Sequence, residues 1–539
     1  MSSDPSPRLG EERSPQPSIT RLPTGRVAFV GRSLRGPVDQ PTRVSSFAQF
    51  QSVFGGLWQP SPLGYCVEQF FDNGGRDAIV VRIANGARGA TVTLPTGGGR
   101  TLELRAVRPG SREFLRVCID YDNLAAGDAG SFNLTIQRVR ARGSLHVEDQ
   151  ESHRRLSIRE SDGPRFVTAA LAHSALVRVV GAPPDARPAR TVDADSGLAT
   201  GWIGSNADGD DGAPLTDYDL IGSETERTGM FALEDAGPFD LLYVPPLARE
   251  RDVGLATWLV AERFCRRRRA LLIVDPPQAW QTADDAIEGF ETWGFQSENA
   301  TMFFPRVLAY DKLRGRFETF APGGAVAGML ARRDARMPPW DESDESVEPV
   351  LRSGYKPACQ VTEAQRVRLR TFGVNTLPSL RPASRRAERP RTLAAASAAD
   401  FRYLASRRTH SYLLSCILHG TRWAATAAPG PDAFATIEAQ VREFLGDLYR
   451  SGAFPGRGPD DAYFVVCDER LNPLGAPRRG LQFLVGFAAA RAGEFHAYRV
   501  VPATDGGDAQ PVTVNRWRDA RLSPEQIEWI DRLANRLEA

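Results

Sequence analysis

Between residues 238 and 305 the chain alternates through five segments of two kinds of hydrophobic pattern. FDLLYV, ALLIVD and ATMFF are short, almost continuously apolar runs. RDVGLATWLVAERFCRRRR and TADDAIEGFETWGF stand between them, with apolar residues at helical spacing. A run of four to six apolar residues suits a strand buried on both faces, and the longer segments suit covering helices. Strand–helix–strand–helix–strand order is met most simply by a parallel sheet with right-handed crossovers. The expected fold class is α/β, within a mixed α+β multidomain chain, because 539 residues exceed one compact core.

A parallel sheet presents ligands at the carboxyl ends of its strands, and Asp275 closes ALLIVD at such an end. It is the best candidate for a soluble, hydrolase-like enzyme. The flanking chemistry argues against a nucleotide. Both sheet-end loops carry proline pairs, Pro245-Pro246 and Pro276-Pro277, and proline has no N–H for a phosphate. The pattern GxxxxGK[ST] is absent. His419-Gly420-Thr421 looks like the histidine block of subtilisins, but no Gly-Thr-Ser nucleophile block follows it. The histidines at 146, 153, 173, 410, 419 and 496 form no HExxH, and the cysteines at 66, 118, 265, 359, 416 and 467 form no CxxC. The expectation is therefore no catalytic residue, no metal and no cofactor.

The segment FFDNGGRDAIVVRI holds a Gly-Gly pair after a helix and before a strand. A phosphate loop needs the opposite order, so this pair is a turn. ATVTLP, LELRAV, EFLRVCIDY, FNLTIQRVR and RLSIRE, between about 90 and 180, read as a small all-β unit. SNADGDDGAPLTD lacks the spacing and closing glutamate of a calcium loop. GGAVAGMLARRD is a further helix; an acidic loop, WDESDESVEP, and an arginine-rich one, RPASRRAERPR, follow it. The C-terminal part has a long amphipathic helix from Ala433 to Arg450, then strands in DAYFVVCD, LQFLVGFA, EFHAYRVV and PVTVNRW. A last helix begins at Ser523, with Gln526 completing a capping box.

Net charge of +1 steers nothing to nucleic acid or to an anionic membrane, and RRRR at 266–269 reads as a solvated helix end. Lys312 and Lys356 are the only lysines, so nearly every cation is an arginine, the side chain suited to forked pairing at packed interfaces. No apolar run is long enough to span a membrane. The start, MSSDPSPRLGEERSPQPS, is polar and proline-rich rather than a signal peptide, so the expectation is synthesis and assembly in the cytoplasm.

Taken in order, these blocks resemble the sheath proteins of contractile phage tails and related injection systems. The resemblance rests on TGRVAFVGRSLRGPVDQPTRVSSFAQFQSVFGG with LGYCVEQFFDNGGRDAIVVRI, then PPLARERDV, RRALLIVDPPQAW, PGGAVAGMLARRD and TFGVNTL. VREFLGDLYRSGAFPG, DAYFVVCDE and GLQFLVGFAAARAGEFHAYRV complete it. It covers most of residues 24–501 and implies a structural, non-enzymatic subunit. Such a subunit stacks as six-fold rings around an inner tube and contracts to drive the tube through a target envelope, in a particle that can be released. The implied partners are other copies, the inner tube protein, and baseplate and terminal cap proteins.

The units implied are a flexible arm (1–23), an opening module (24–88) packing with the C-terminal module, and a β-rich insert (89–185). A subtilisin-like α/β domain without a triad (186–380), a C-terminal sheath module (381–510) and a strand-and-helix extension (511–539) follow. Intersubunit strand exchange is expected at Glu494, Phe495, His496, Ala497, Tyr498, Arg499 and Val500, with PVTVNRW as a possible donated strand. Contact with the inner tube is expected at Arg442 and Arg450. The family's usual Pro-Gly-Val-Tyr-x-Glu-Glu arm strand is missing, which leaves open whether the N-terminal arm donates a strand. Open too are phage tail against cell-encoded device, and bulk subunit against a baseplate- or cap-proximal paralogue.

Overall fold

The computed structural model describes residues 18–512, apart from 126, 193–196, 198–200, 342–349, 353, 378–388, 395–398, 474–479, 490 and 505. The acidic loop after Asp341, most of RPASRRAERPR and the helix from Ser523 lie outside the described residues.

The opening segment contributes β1 (Val27–Gly31), β2 (Thr42–Val44), α1 (Phe47–Phe54), α2 (Leu63–Asp72) and β3 (Ala78–Arg82). The Ser46 hydroxyl accepts from the Gln49 N–H to start α1. The Gly-Gly pair closes α2 as a turn: Gly74 has a φ of +105°, and a Cβ on Gly75 would lie 2.3 Å from the Phe70 ring.

A β-rich unit follows, with β4 (Thr91–Leu94), β5 (Leu102–Ala106), β6 (Phe114–Asp120), β7 (Ser131–Val139), β8 (Val147–Ser157), α3 (Val167–Leu171), β9 (Val177–Val180) and β10 (Ile203–Gly204). Its two sheets, ordered β4-β5-β9 and β10-β6-β7-β8, share one apolar core containing Leu104, Val117, Phe132 and Leu134. This unit does not close at residue 185. β10 pairs with β6, and Ala207, Asp210 and Ala213 bridge back to Thr91, Arg88 and Asn85. The Gly/Asp-rich stretch is thus laid against the unit's first residues.

The middle of the chain holds α4 (Asp217–Ile221), β11 (Leu241–Tyr243), α5 (Leu255–Arg268), β12 (Leu271–Val274), α6 (Ala283–Trp293) and β13 (Ala300–Phe304). The hairpin β14 (Val307–Asp311) and β15 (Arg316–Phe320) comes next, with α7 (Gly323–Asp334), β16 (Lys356–Pro357), α8 (Glu363–Thr371) and β17 (Val374–Thr376). β11, β12 and β13 are parallel neighbours, as the alternation requires. The sheet is larger than that alternation predicts. Its order is β17-β13-β12-β11-β1-β3-β2, parallel throughout except for β2.

Residues 24–88 therefore belong to this sheet rather than to the C-terminal module, because β1 pairs with β11 along Val27–Phe29. Alternate residues of each strand face opposite layers. Ala28, Val30, Leu242 and Leu272 pack with Trp258, Phe264 and Phe290 on one side, while Phe29, Val80, Tyr243 and Ile273 pack with Phe50, Phe70 and Leu330 on the other. Arg391 and Leu393, placed beyond 380 by the sequence, also sit on this unit: Leu393 donates to the Ala300 carbonyl and is fully buried.

The terminal unit has α9 (Leu404–Gly420), α10 (Pro431–Arg450), β18 (Tyr463–Val466), β19 (Phe483–Phe487), β20 (His496–Val501) and β21 (Asp508–Val512). The four strands form one antiparallel sheet in sequence order. Phe434, Ile437, Val441, Phe444, Leu445 and Leu448 of α10 are buried with Leu413 and Ile417 of α9 against Phe483, Val485 and Val500. Ile19 and Leu22, the described end of the arm, pack on the same core.

Candidate assembly surfaces

At the carboxyl end of β12 the Asp275 side chain points into the fold and is 6% exposed. One carboxylate oxygen accepts from the Tyr243 hydroxyl at 2.7 Å; the other accepts from the Gly323 N–H at 2.9 Å, at the first residue of α7. That is the geometry of a carboxylate capping a helix N-terminus, where the dipole favours negative charge. Burial nevertheless pushes its pKa up to about 6, against the pull of Arg306. Cys66 lies with its sulfur 3.5 Å from the same Tyr243 hydroxyl, and burial drives that thiol well up. The cavity beside Asp275, walled by Trp258, Pro277 and Trp293, measures about 30 Å³. It has room for water and none for a substrate. Asp275 is a packing and capping residue.

The seven residues expected to exchange strands lie in and just before β20. Phe495 packs edge-on to Phe464, and Tyr498 stacks on Phe487. Arg499 donates to the side-chain oxygen of Gln482. Glu494 turns back on the loop, its N–H donating to the Arg491 carbonyl. β20 is an inner strand: Phe483–Phe487 pair with it on one side and Asp508–Val512 on the other. Within one chain its backbone groups are already taken. PVTVNRW, in contrast, begins inside the edge strand β21 at Pro511 and Val512; its remainder lies outside the described residues.

Both edges of this sheet are guarded. On β18 the Val465 carbonyl accepts from Arg442 at 2.7 Å, and Glu438 accepts from the Cys467 N–H at 3.0 Å. Glu438 and Arg442 are one turn apart on α10, so the helix closes that edge with side chains. On β21, Pro511 has no N–H, and the Ala509 N–H donates to the Asp508 carboxylate. A free strand can add to either edge only by displacing something.

This explains what Arg442 does within the chain: it caps β18 and leans on Glu438 at 3.8 Å. The Arg450 side chain is 70% exposed and pairs with Asp447 one turn earlier. Behind β20, His496 and His410 stand with ring centroids 4.8 Å apart, edge to face, and Phe401 and Phe487 complete the cluster. His410 gives one ring nitrogen to the Ser406 carbonyl and buries the other without a partner. Burial, then His496, holds its pKa well below the usual histidine range.

Sequence reasoning passed over the joint between the terminal unit and the large sheet. Arg408 of α9, 6% exposed, forks between Asp240, before β11, and Asp334, at the end of α7. Its neighbour Arg407 donates to the Asn299 side chain at 2.6 Å and pairs with Glu298. The general preference for arginine at packed interfaces is visible in composition. Which arginines serve it is not, because Arg407 and Arg408 carry no local mark among so many.

With this architecture in hand, comparison with solved structures is informative. The chain aligns over 92% of its length with 96% of the sheath tail protein from Listeria innocua, at a TM-score of 0.55 and 13% identity. It aligns over 92% with 96% of a sheath subunit from an extracellular contractile injection system, the PVC sheath in its contracted state (TM-score 0.51, 14% identity). The sheath tail protein from Desulfitobacterium hafniense matches over 94% of this chain and 99% of its own (TM-score 0.50, 12% identity). No family model and no curated relative matches the sequence. The likeness is one of fold: over more than nine-tenths of its length this mixed α/β, multi-sheet chain has the architecture of contractile sheath proteins.

Proposed function

We propose that the chain is a sheath subunit. Copies stack as six-fold rings around an inner tube and contract to drive that tube through a target envelope. One observation carries the reading: the fold correspondence runs through all the units and leaves almost nothing over in either partner of the comparison. A ligand-using enzyme sharing only the parallel sheet would not match through the terminal sheet as well. The implied mechanism needs no nucleotide. Energy is stored at assembly, as one of two arrangements of the same contacts that differ in free energy, and a baseplate signal releases it along the stack.

On this reading the terminal sheet links subunits, with Glu494–Val500 as the receiving framework and β21 as the strand that changes owner. An incoming copy of β21 pairs with β20 through the register used here within one chain, a domain swap that costs little because the contacts are the same. Arg450, with its largely exposed side chain held to Asp447 on its own helix, is the better of the two arginines for an acidic inner tube surface; Arg442 joins it only by giving up the Val465 carbonyl. The remaining partners are the baseplate and cap proteins at the ends of the stack.

A second reading has one observation in its favour. Because β20 is satisfied on both sides within the chain, the subunit can also stand alone, as a baseplate- or cap-proximal adaptor would. Negative-stain microscopy of the purified chain, alone and with its inner tube protein, separates the two. Hollow striated cylinders or rings wider than the tube are expected. Dispersed monomers in both samples would remove the bulk-sheath reading.

A further inference from the structure

Between the C-terminal end of α5 and the terminal sheet runs a cleft of about 820 Å³, walled by Arg263, Arg266, Arg267 and Arg269 on one side and Asp508–Pro511 of β21 on the other. A second cavity of about 320 Å³ continues it beneath α9, sharing Arg268, Arg269 and Arg407 in its wall. The carboxylates in the larger cleft are Glu234, Glu298 and Asp508, against six arginines. Glu234 is engaged by Arg267 and Arg268, and Glu298 by Arg407; Glu262 and Glu224, just outside the cleft, pair with Arg266 and Arg267, which leaves Arg263 and Arg269 as the arginines of this wall outside those ion pairs.

Arg269 is the residue at odds with its surroundings. It caps α5 in the left-handed region, at a φ of 57°, and its Nε is buried without a hydrogen-bond partner. Burial, with Arg268 adding to it, pulls its pKa down to about 10, and only Asp508 opposes them. A mostly buried guanidinium beside a like charge is costly unless an anion joins it. Arg263, exposed on the outer rim, has no ion-pair partner among the described residues. The cleft therefore offers two guanidinium groups, Arg263 and Arg269, beyond its internal ion pairs, an arrangement that suits carboxylates spaced along one chain.

Among the segments outside the described residues, one has that chemistry. Residues 342–349, ESDESVEP, carry four carboxylates and no cation. The segment leaves the described chain after Asp341, two residues beyond Pro339, which lines the smaller cavity. A chain of net charge +1 that gathers arginines in a cleft and carboxylates in a run can match the two between copies. We propose that this arginine-walled cleft receives the acidic run 342–349 of a second copy of the chain. The proposal rests on the sheath reading for the presence of that second copy, and it adds an electrostatic register to the strand link beside it.

The test uses a labelled peptide of residues 340–350 and fluorescence anisotropy, with two forms of the full-length chain at a concentration where it is monomeric. One is the natural chain; the other carries Glu342→Gln, Asp344→Asn, Glu345→Gln and Glu348→Gln. Both are expected to bind the peptide with equal affinity. Arg269→Gln and, separately, Arg263→Gln are each expected to weaken binding about tenfold. Raising salt from about 50 mM to about 500 mM weakens it further. Arg263 is exposed, so its variant stays folded whatever Arg269→Gln does.

Three results overturn the proposal. The first is a peptide with amides at the four acidic positions that binds as well as the acidic one. The second is an affinity indifferent to both arginine variants. The third is a natural chain that binds at least about tenfold more weakly than the neutralised one, which would put the run in its own cleft. Microscopy keeps the two readings apart: cylinders without peptide binding defeat the cleft alone, and peptide binding without cylinders defeats the sheath reading alone.

Discussion

Asp275 shows how one residue can look catalytic in sequence and be structural in place. An apolar run ending in an acid at a sheet's carboxyl end is the pattern of an α/β active site. The acid here is sealed between Tyr243 and the start of α7, and burial lifts its pKa to about 6. A folded pKa above the unfolded value means the native state holds the proton more tightly. The stability from this group is full below about pH 4 and is lost as pH rises through about 6. Asparagine keeps an oxygen for the Gly323 N–H and carries no charge, and Arg306 retains Asp252 at 2.7 Å. Asp275→Asn is therefore expected to equal or exceed the natural chain at pH 7, by up to about 3 kcal/mol, with the difference closing towards pH 4. Chemical denaturation at the two pH values measures it, and a loss of more than about 2 kcal/mol at pH 7 would show that the charge itself holds α7.

The two glycines of GGAVAGMLARRD that face α2 set how closely α7 can lie against it. A Cβ on Gly324 would stand 2.2 Å from the Cys66 carbonyl oxygen, and one on Gly328 would stand 2.4 Å from that of Phe70. These are backbone atoms that cannot swing aside, so the helices must separate to admit a methyl group. Gly328→Ala is expected to destabilise the fold by roughly 1–3 kcal/mol, although alanine is the better helix former by about 1 kcal/mol. A thermal midpoint that rises in this variant would refute the close packing. Elements of this kind were legible where a local pattern decides them. Leu271–Val274 is a strand because four successive residues are apolar and buried; α10 is a helix because its stripe keeps helical spacing over twenty residues. DAQPV, the sequence of β21, has no strand pattern and contains a proline, and it is extended only because β20 offers it a partner. The pairing of β1 with β11 spans more than two hundred residues and leaves no local trace at either strand, so the opening segment's true partner was out of reach of the sequence.

At the scale of the whole molecule, the pairing of β20 on both sides decides how assembly can be tested. Deleting residues 494–539 is a poor test, because it strips out the inner strand β20 with Phe495, Ala497, Tyr498 and Val500, all buried. The terminal core would then lose several side chains worth roughly 1.5–3 kcal/mol each. Ending the chain at Ala503 removes β21 together with the residues after it and leaves β18, β19 and β20 over the intact face of α10. If β21 is the strand that passes between subunits, this chain folds but cannot form a continuous lattice, and the outer edge of β20 is left open. A separate peptide of residues 504–539 should then dock on that edge without restoring cylinders, since it satisfies the hydrogen bonds but joins no two subunits. That combination distinguishes a linking strand from a merely stabilising one. A linking strand restores protection of the β20 amides against hydrogen exchange when supplied in trans, yet leaves the particles unformed; a stabilising strand restores both. Ordered cylinders formed by the chain ending at Ala503 would show that subunits are joined through other surfaces, and the arginine cleft beside β21 would then be the first place to look.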